Sequence, residues 1–241
     1  KQIGEDIRDL GLEGQLQKKG TPTMGGIIII LAILIPVILF GDLTNIYIQL
    51  LLISTIWLGF IGGLDDYIKV FRHKKDGLKG RFKIVGQVGL GIIVGTTMWL
   101  SQDIVIHDKN FETKSFEIVD KESGEIQRQS VKFVTNTTPD KSAKTSIPFL
   151  KDTELNYNIL TGGNDTAAWI VYILVAIFVI TAVSNGANLT DGIDGLLTSV
   201  SVPIVLVLGI LAYLSGHLIY SDYLNIMYLP DSGEMVVFAA A

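Results

Sequence analysis

Five apolar blocks, each long enough to cross a lipid bilayer as a helix, restrict what this chain of 241 residues can fold into. About 17–25 residues are needed to span roughly 30 Å of hydrocarbon, and a helix is the economical way to satisfy the backbone there. A soluble domain would not usually concentrate its apolar residues in such blocks; here the hydrophobic share is 49% and the mean hydropathy is +0.45. The blocks cover residues 24–40, 43–64, 84–100, 167–183 and 193–214. The sequence therefore predicts an all-α polytopic membrane protein with five complete transmembrane helices.

Both ends of the chain indicate a longer protein. Residues 233–241 begin a sixth apolar run, which stops after about two helical turns. The opening residues lack the charged and then apolar pattern of a secretory leader, and we expect truncation there as well. The chain has no cysteine, so cysteine usage gives no information about a redox compartment. We therefore expect residues 1–241 to form part of one integral-membrane domain.

The distribution of lysine and arginine predicts the orientation in the membrane. Cytoplasmic loops are enriched in these residues, and short loops carry the signal. Segments 1–23 and 65–83 hold four and seven of them, whereas segment 215–232 and the turn at 41–42 hold none. The first two segments are therefore predicted to face the cytoplasm, and by alternation the loop at 184–192 faces it too.

The long segment 101–166 is predicted to lie on the external side. Apolar and polar residues alternate around 103–106, 115–119 and 131–134. Turn-forming residues punctuate it at Ser123, Gly124, Asn136, Pro139 and Pro148. This pattern predicts a small β-hairpin. His107 has no orienting partner nearby in the sequence, and we interpret it as an ordinary surface residue.

Three polar clusters fall on the predicted cytoplasmic side, and the first is KKGTPTMGG at residues 18–26. Glycines allow the backbone to approach a ligand closely, and a neighbouring lysine or threonine can hold phosphate. Lys18 and Thr23 are the candidates here. The spacing is not that of a Walker A loop. A simple anchor at the inner membrane face, with Pro22 starting a helix, is the alternative interpretation.

The second cluster, DDYIK at residues 65–69, follows the second apolar block. Adjacent acids do not share a helix face, so Asp65 and Asp66 are expected to have different partners. Such a pair suits a metal ligand together with a general base. The alternative is a helix end whose polar side chains reach the interface. Lys69 and Lys83 could neutralise phosphate groups or serve only as positive charge on the cytoplasmic side.

The third cluster, NGANLTDGIDG at residues 185–195, is predicted to be a loop between the fourth and fifth membrane helices. It offers two amides and two carboxylates: Asn185, Asn188, Asp191 and Asp194. Mg²⁺ prefers such oxygens and usually keeps positions for water and substrate phosphate. The alternative is an ordinary turn rich in asparagine and glycine. Together the three clusters indicate Mg²⁺-assisted chemistry on a phosphate at a membrane surface.

At these clusters the chain resembles the polyprenyl-phosphate N-acetylhexosamine-1-phosphate transferase superfamily, and within it the bacterial phospho-N-acetylmuramoyl-pentapeptide transferase family. The resemblance extends over nearly all the chain except the external segment. The strings GTPTMGG and NLTDGIDGL are long and specific. The motifs that carry the resemblance are KKGTPTMGG (18–26), DDYIK (65–69), GLKGRFK (77–83), NGANLTDGIDGL (185–196) and SDYLNIMYLPDSGEM (221–235).

The resemblance implies transfer of phospho-MurNAc-pentapeptide from its UDP carrier to undecaprenyl phosphate, giving lipid I and UMP. Mg²⁺ would bridge the diphosphate. The implied catalytic residues are Asp65 as base, Asp66 in support and Asp191 beside the diphosphate. The implied substrate-binding residues are Lys18, Thr23, Lys69, Lys83, Asn188 and Asp194, and the implied metal ligands are Asn185 and Asp191. The resemblance also implies a multi-pass protein of the bacterial cytoplasmic membrane, with the site facing the cytoplasm. A homodimer is one implied arrangement, and no nucleic-acid partner is implied.

The chain also departs from the family pattern. A further aspartate in an FMGD-type motif and a histidine-rich cytoplasmic loop are absent from the 241 residues, so this stretch alone is predicted to be inactive. Two rival functions stay open: a sister enzyme that transfers GlcNAc-1-phosphate, and a membrane transporter. A transporter keeps its acidic residues near the bilayer midplane, whereas these are predicted at one face.

Overall fold

The protein is a polytopic helical membrane protein with a long β-hairpin at one end. A computed structural model describes residues 25–72, 77–119, 126–146, 154–191 and 195–241. The candidate residues Lys18, Thr23 and Asp194 lie outside these ranges. The described helices are α1 (Gly25–Phe40), α2 (Ile46–Phe71), α3 (Gly80–Leu100), α4 (Tyr157–Leu160), α5 (Asp165–Thr190), α6 (Leu196–Ser215), α7 (Leu218–Tyr223) and α8 (Met235–Ala240). The described strands are β1 (Ile106–Val119), β2 (Ile126–Asp140), β3 (Lys144–Ser146) and β4 (Glu154–Asn156).

The predicted membrane segments are confirmed as helices. Helices α2, α3, α5 and α6 are long and apolar enough to cross a membrane, and α1 is a shorter apolar helix of 16 residues. Many large apolar side chains of these helices are exposed, as expected where lipid replaces water as the solvent. Helix α8 falls at the start of the predicted sixth run.

Two helices extend past the predicted ends of their membrane segments. Helix α2 continues to Phe71 and α5 continues to Thr190. Asn185 and Asn188 therefore lie on a helix, and the prediction of a loop from residue 185 is wrong for residues 185–190. The end of each apolar block marks where the hydrocarbon of the membrane ends, but the polar residues that follow do not break the helix.

Small residues bring α3 and α5 into close contact. A Cβ atom on Gly91 would lie 2.7 Å from the Cα atom of Ile177, and one on Gly95 would lie 3.2 Å from the Cα atom of Ile173. The two glycines are four residues apart and therefore share one helix face, as in the close-packing motif of membrane helices. This packing sets the position of α3 against α5, on which the site described below depends.

The predicted β-hairpin is confirmed and is longer than expected. Strands β1 and β2 pair antiparallel from Ile106 with Asp140 to Val119 with Ile126, with a register shift at Asn110. Asn136 and Pro139, which were expected to mark turns, lie inside β2. A proline is tolerated there because a two-stranded ribbon leaves one edge of each strand unpaired. The predicted turn at Ser123 and Gly124 lies outside the described residues.

His107 fixes the hairpin to the helical body, so its interpretation as an ordinary surface residue is wrong. Its backbone N–H donates to the Tyr228 carbonyl at 3.0 Å, and its ring packs edge-on against the Tyr228 ring with centroids 5.8 Å apart. Its Nδ1 atom lies 3.1 Å from Oγ1 of Thr137. These partners lie far away along the chain, so the local sequence gives no sign of them.

Candidate functional site

The Asp65 carboxylate lies at the centre of an ion-pair cluster where α2 meets α3. Its side chain is 9% exposed. Oδ2 accepts from Nζ of Lys83 at 2.9 Å and lies 3.1 Å from Nζ of Lys69. Oδ1 accepts from the backbone N–H of Leu78 at 2.6 Å. One buried carboxylate therefore holds two ammonium groups and a peptide N–H together, and we call these four groups the Asp65 cluster.

The local chain path explains how these groups meet. Lys69 follows Asp65 by one helical turn on α2, and Lys83 lies in the first turn of α3. Between them the chain turns at Gly77, whose φ of +61° lies in the left-handed region. A Cβ atom at this position would collide with Oδ1 of Asp65 and lie 2.8 Å from Cε of Lys69. Only glycine therefore lets the backbone pass this close to the carboxylate.

The Asp65 cluster has the charge balance of an anion site. Two lysines share one carboxylate, so the cluster carries a formal charge of +1. The lysine side chains are 32% and 26% exposed, so both can reach a ligand at the surface. Ammonium groups of this kind serve as point charges for phosphate. Asp66 is half-buried and has a different environment from Asp65, as the helix geometry predicts.

A second polar group joins α3 to α5. Gln87 is 5% exposed, and its Nε2 donates to Oγ of Ser184 at 2.9 Å. Its Oε1 accepts from Nδ2 of Asn185 at 2.9 Å, and the same Nδ2 donates to the Thr181 carbonyl at 2.8 Å. Both hydrogens of the Asn185 amide are thus used, which fixes the orientation of its side chain.

Helix α3 places the two groups side by side. Lys83 and Gln87 are four residues apart, so they lie one turn apart on the same helix face. Lys83 contacts Asp65 of α2, and Gln87 contacts Asn185 of α5. Two separate sequence clusters therefore contact neighbouring turns of α3 at one end of the bundle, which we call the Asp65 end. The opposite end, which carries β1 and β2, is the hairpin end.

Asn188 and Asp191 continue from Asn185 toward the surface. Both are exposed, and the three residues follow one another at intervals of three along α5 and its C-cap. The Asp191 N–H donates to the Ala187 carbonyl at 2.9 Å and closes the helix. Among the residues that the structure describes, no group of three or more His, Cys, Asp or Glu side chains converges on a metal site. The donor types here, a carboxylate and amide oxygens, are those that suit an ion such as Mg²⁺, which is commonly held by one or two carboxylates together with substrate phosphate.

Sequence reasoning missed Gln87, Gly77 and the Leu78 N–H. Gln87 gave a usable signal, because it is a single amide side chain inside an apolar, glycine-rich membrane helix, where a polar residue needs a partner. The Leu78 N–H gave none, since any residue provides one. Gly77 stands in the quoted GLKGRFK string, but its left-handed backbone is visible only in the structure.

Replacing Gln87 by leucine is expected to lower the free energy of unfolding by about 1–3 kcal/mol, because Asn185 and Ser184 lose a buried partner. The measurement is thermal unfolding of the purified protein in detergent. Gln49→Leu is the matched control, since Gln49 is an exposed amide that bonds only nearby carbonyls, and we expect a change of about 0.5 kcal/mol or less. Equal losses in the two variants would contradict a special role for Gln87.

The fold and the site define a class: a multi-pass membrane protein with a cationic, carboxylate-centred site at one end of its helices. The model of glycosyl transferase family 4 matches residues 128–231. Signature 1 of phospho-N-acetylmuramoyl-pentapeptide-transferase matches residues 18–30. With the relatives described next, these matches show that the chain belongs to the phospho-N-acetylmuramoyl-pentapeptide-transferase family.

Curated relatives that bear this name are similar along the whole chain. The protein from Parabacteroides distasonis is 52% identical over 100% of this chain and 55% of its own length. The protein from Flavobacterium psychrophilum is 52% identical over 100% of this chain and 58% of its own length. The protein from Phocaeicola vulgatus is 54% identical over 99% of this chain and 55% of its own length. The chain thus spans between half and two thirds of the length of these relatives.

Proposed function

We propose that this protein transfers phospho-MurNAc-pentapeptide from UDP-MurNAc-pentapeptide to undecaprenyl phosphate, giving lipid I and UMP. The observation that carries the proposal is that the Asp65 cluster and Asn185 contact neighbouring turns of α3, because this brings two motifs of the family resemblance to one end of the bundle. The names of the curated relatives support the reaction type. Both substrates are phosphate esters, which suits a site with excess lysine charge.

The geometry suggests how the side chains divide the work. Lys69 and Lys83 bind phosphate oxygens, and the lipid phosphate approaches the carboxylate that holds both lysines. Asp65 is the proposed base for that phosphate. Two ammonium groups bind Oδ2 and one N–H binds Oδ1, so transfer of a lysine to the arriving phosphate would free Oδ2 to accept a proton. Asp66 supports the site from the next position.

Mg²⁺ is part of the proposal, with Asp191 and the amide oxygen of Asn185 as the groups that would hold it, and Asn188 is a proposed substrate contact beside them. When bound, the ion would polarise the diphosphate as a Lewis acid. The chain itself presents these residues at the C-terminal end of α5, where Gln87 fixes the Asn185 side chain. Lys18, Thr23 and Asp194 complete the proposed substrate contacts and lie outside the described residues.

The proposed location is the bacterial cytoplasmic membrane, with the Asp65 end facing the cytoplasm. The excess of lysine and arginine in segments 1–23 and 65–83 supports this orientation. The UDP-linked donor would then reach the site from the aqueous side, and undecaprenyl phosphate would reach it from the bilayer. A homodimer is one proposed assembly, and no nucleic acid takes part.

The test is a transfer assay with the full-length protein in detergent, using radiolabelled UDP-MurNAc-pentapeptide, undecaprenyl phosphate and Mg²⁺. We expect labelled lipid I that is lost on chelation of the ion. A second reaction offers UDP-GlcNAc in place of the pentapeptide donor. Transfer from UDP-GlcNAc alone would overturn the proposed donor in favour of the sister enzyme, and no transfer from either donor would overturn the proposed reaction.

A further inference from the structure

Gln87 is a buried amide inside the apolar membrane helix α3, where a polar side chain is costly and marks a functional site by default. Close packing of α3 against α5 does not depend on it. Gly91 and Gly95, which lie one and two turns nearer the hairpin end, already bring the two helices together. The hydrogen bonds of Gln87 therefore serve a purpose that helix packing alone does not require.

The Thr181 carbonyl decides which way the Asn185 amide is turned. A backbone carbonyl only accepts hydrogen bonds, so the amide atom 2.8 Å from it must be the nitrogen Nδ2. The same nitrogen lies 2.9 Å from Gln87, so the Gln87 atom at that position must be the acceptor Oε1. Nε2 of Gln87 then faces Oγ of Ser184, and a hydroxyl oxygen can accept. The direction of these bonds therefore follows from one peptide carbonyl.

Asn185 is left with one polar atom for a ligand, its oxygen. Thr181 and Gln87 use both hydrogens of Nδ2. The amide group is planar, so the bonds that fix the nitrogen also fix Oδ1 on the other side of the group. Asn185 is half-buried, and within the described part of the chain its Oδ1 accepts no hydrogen bond. Asn185 therefore presents an acceptor, without a free N–H, at the Asp65 end.

Loss of Gln87 would change the chemical character of Asn185. The second hydrogen of Nδ2 would then be free to donate to a ligand. An amide that offers a hydrogen suits an anion, whereas an amide that offers only its oxygen suits a cation. We propose that Gln87 is a positioning residue for transfer, which keeps Asn185 an oxygen ligand for Mg²⁺ by holding the second hydrogen of its amide. This inference rests on the proposed function, in which Asn185 and Asp191 hold the ion.

The test is a double-mutant cycle on Mn²⁺ binding by the full-length protein in detergent, without substrates. Mn²⁺ is the probe because electron paramagnetic resonance measures the free ion directly. Gln87→Met keeps the length of the side chain but removes its amide, and Asn185→Ala removes the proposed ligand. We expect each variant to bind Mn²⁺ at least about tenfold more weakly, as for other residues that orient a metal ligand. Because Gln87 acts through Asn185, the double variant is expected to lie within about twofold of Asn185→Ala.

Ser184→Ala is the matched control for a merely structural role of Gln87. It removes the other partner of the Gln87 amide and leaves the bond to Asn185 in place. The network loses a buried hydrogen bond in this variant too, so its stability falls as in Gln87→Met. We nevertheless expect its Mn²⁺ affinity to stay within about twofold of that of the unmodified protein.

A second measurement needs no substitution at Gln87, and so does not depend on the folding of that variant. The full-length protein is prepared with isotope-labelled asparagine, and NMR follows exchange of the side-chain amide protons with solvent. Asn185→Ala identifies the Asn185 signal by its loss. We expect both Nδ2 protons of Asn185 to exchange slowly, with and without Mg²⁺, because both stay bound to protein acceptors.

Four outcomes would overturn the role of Gln87. They are additive losses in the cycle, an equal loss in Ser184→Ala and Gln87→Met, fast exchange of either Asn185 side-chain proton once Mg²⁺ is added, and no Mn²⁺ binding by the unmodified protein. The transfer assay is read separately. Absence of transfer together with a coupled cycle would overturn the proposed reaction and keep the role of Gln87, whereas transfer together with additive losses would do the reverse.

Discussion

Replacing Asp65 by asparagine is expected to reduce the rate of lipid I formation at least about 100-fold, the lower range for loss of a positioned acid or base. The amide keeps the size of the side chain but cannot serve as the proposed base for the lipid phosphate. It also removes the charge that holds Lys69 and Lys83 in place. The measurement is the initial rate with saturating substrates and Mg²⁺, so that a loss of binding is not mistaken for a loss of rate.

The same substitution also affects folding, which has to be separated from catalysis. Removing one member of a buried ion pair costs about 3–5 kcal/mol. The two lysines are 32% and 26% exposed, so water replaces part of the lost interaction, and we expect about 1–3 kcal/mol here. A protein with a small stability margin could lose activity for that reason alone.

A second variant separates the two effects. In Asp65→Asn the Lys83 ammonium has lost its carboxylate partner. Adding Lys83→Met removes this unpaired charge, so the double variant is expected to be more stable than Asp65→Asn alone but equally deficient in transfer. Asp42→Asn is the matched control, since Asp42 is an exposed carboxylate whose bonds are to Thr44 of the same turn. Recovery of transfer in the double variant, or near-normal transfer in Asp65→Asn alone, would show that Asp65 is not the base.

The membrane fold was predictable from the sequence because hydropathy reports directly on burial in lipid. The hairpin was predictable from alternation of apolar and polar residues, which reports on strands. The ends of α2 and α5 were not predictable in this way. Past the hydrocarbon boundary, water and neighbouring side chains satisfy polar residues, so a helix can continue through a polar sequence such as residues 185–190.

The candidate site was only partly predictable. The sequence identified Asp65, Lys69, Lys83 and Asn185 as separate clusters, because each carries a charge or an amide in an unusual place. Their connection depends on how α3 lies between α2 and α5. That arrangement follows from tertiary packing, including the close contacts of glycines in α3 with α5. No local pattern shows that Gln87 reaches Asn185, so the link through α3 required the structure.

Replacing Gly77 by alanine is expected to damage both folding and transfer. A left-handed backbone costs a residue with a Cβ atom about 1–2 kcal/mol. The added methyl group also collides with Oδ1 of Asp65, which two lysines hold in place. The turn must retract, so the Leu78 N–H loses its acceptor, which costs about 1 kcal/mol more.

We therefore expect Gly77→Ala to lower the free energy of unfolding by about 2–3 kcal/mol and the rate of transfer by at least about tenfold, since the carboxylate shifts. Thermal unfolding and the transfer assay measure these two effects. Gly80→Ala is the matched control, because Gly80 is three residues away, has no left-handed backbone and leaves open space around a new Cβ atom. If Gly80→Ala were as damaging as Gly77→Ala, the contact between Gly77 and Asp65 would not be what positions the carboxylate.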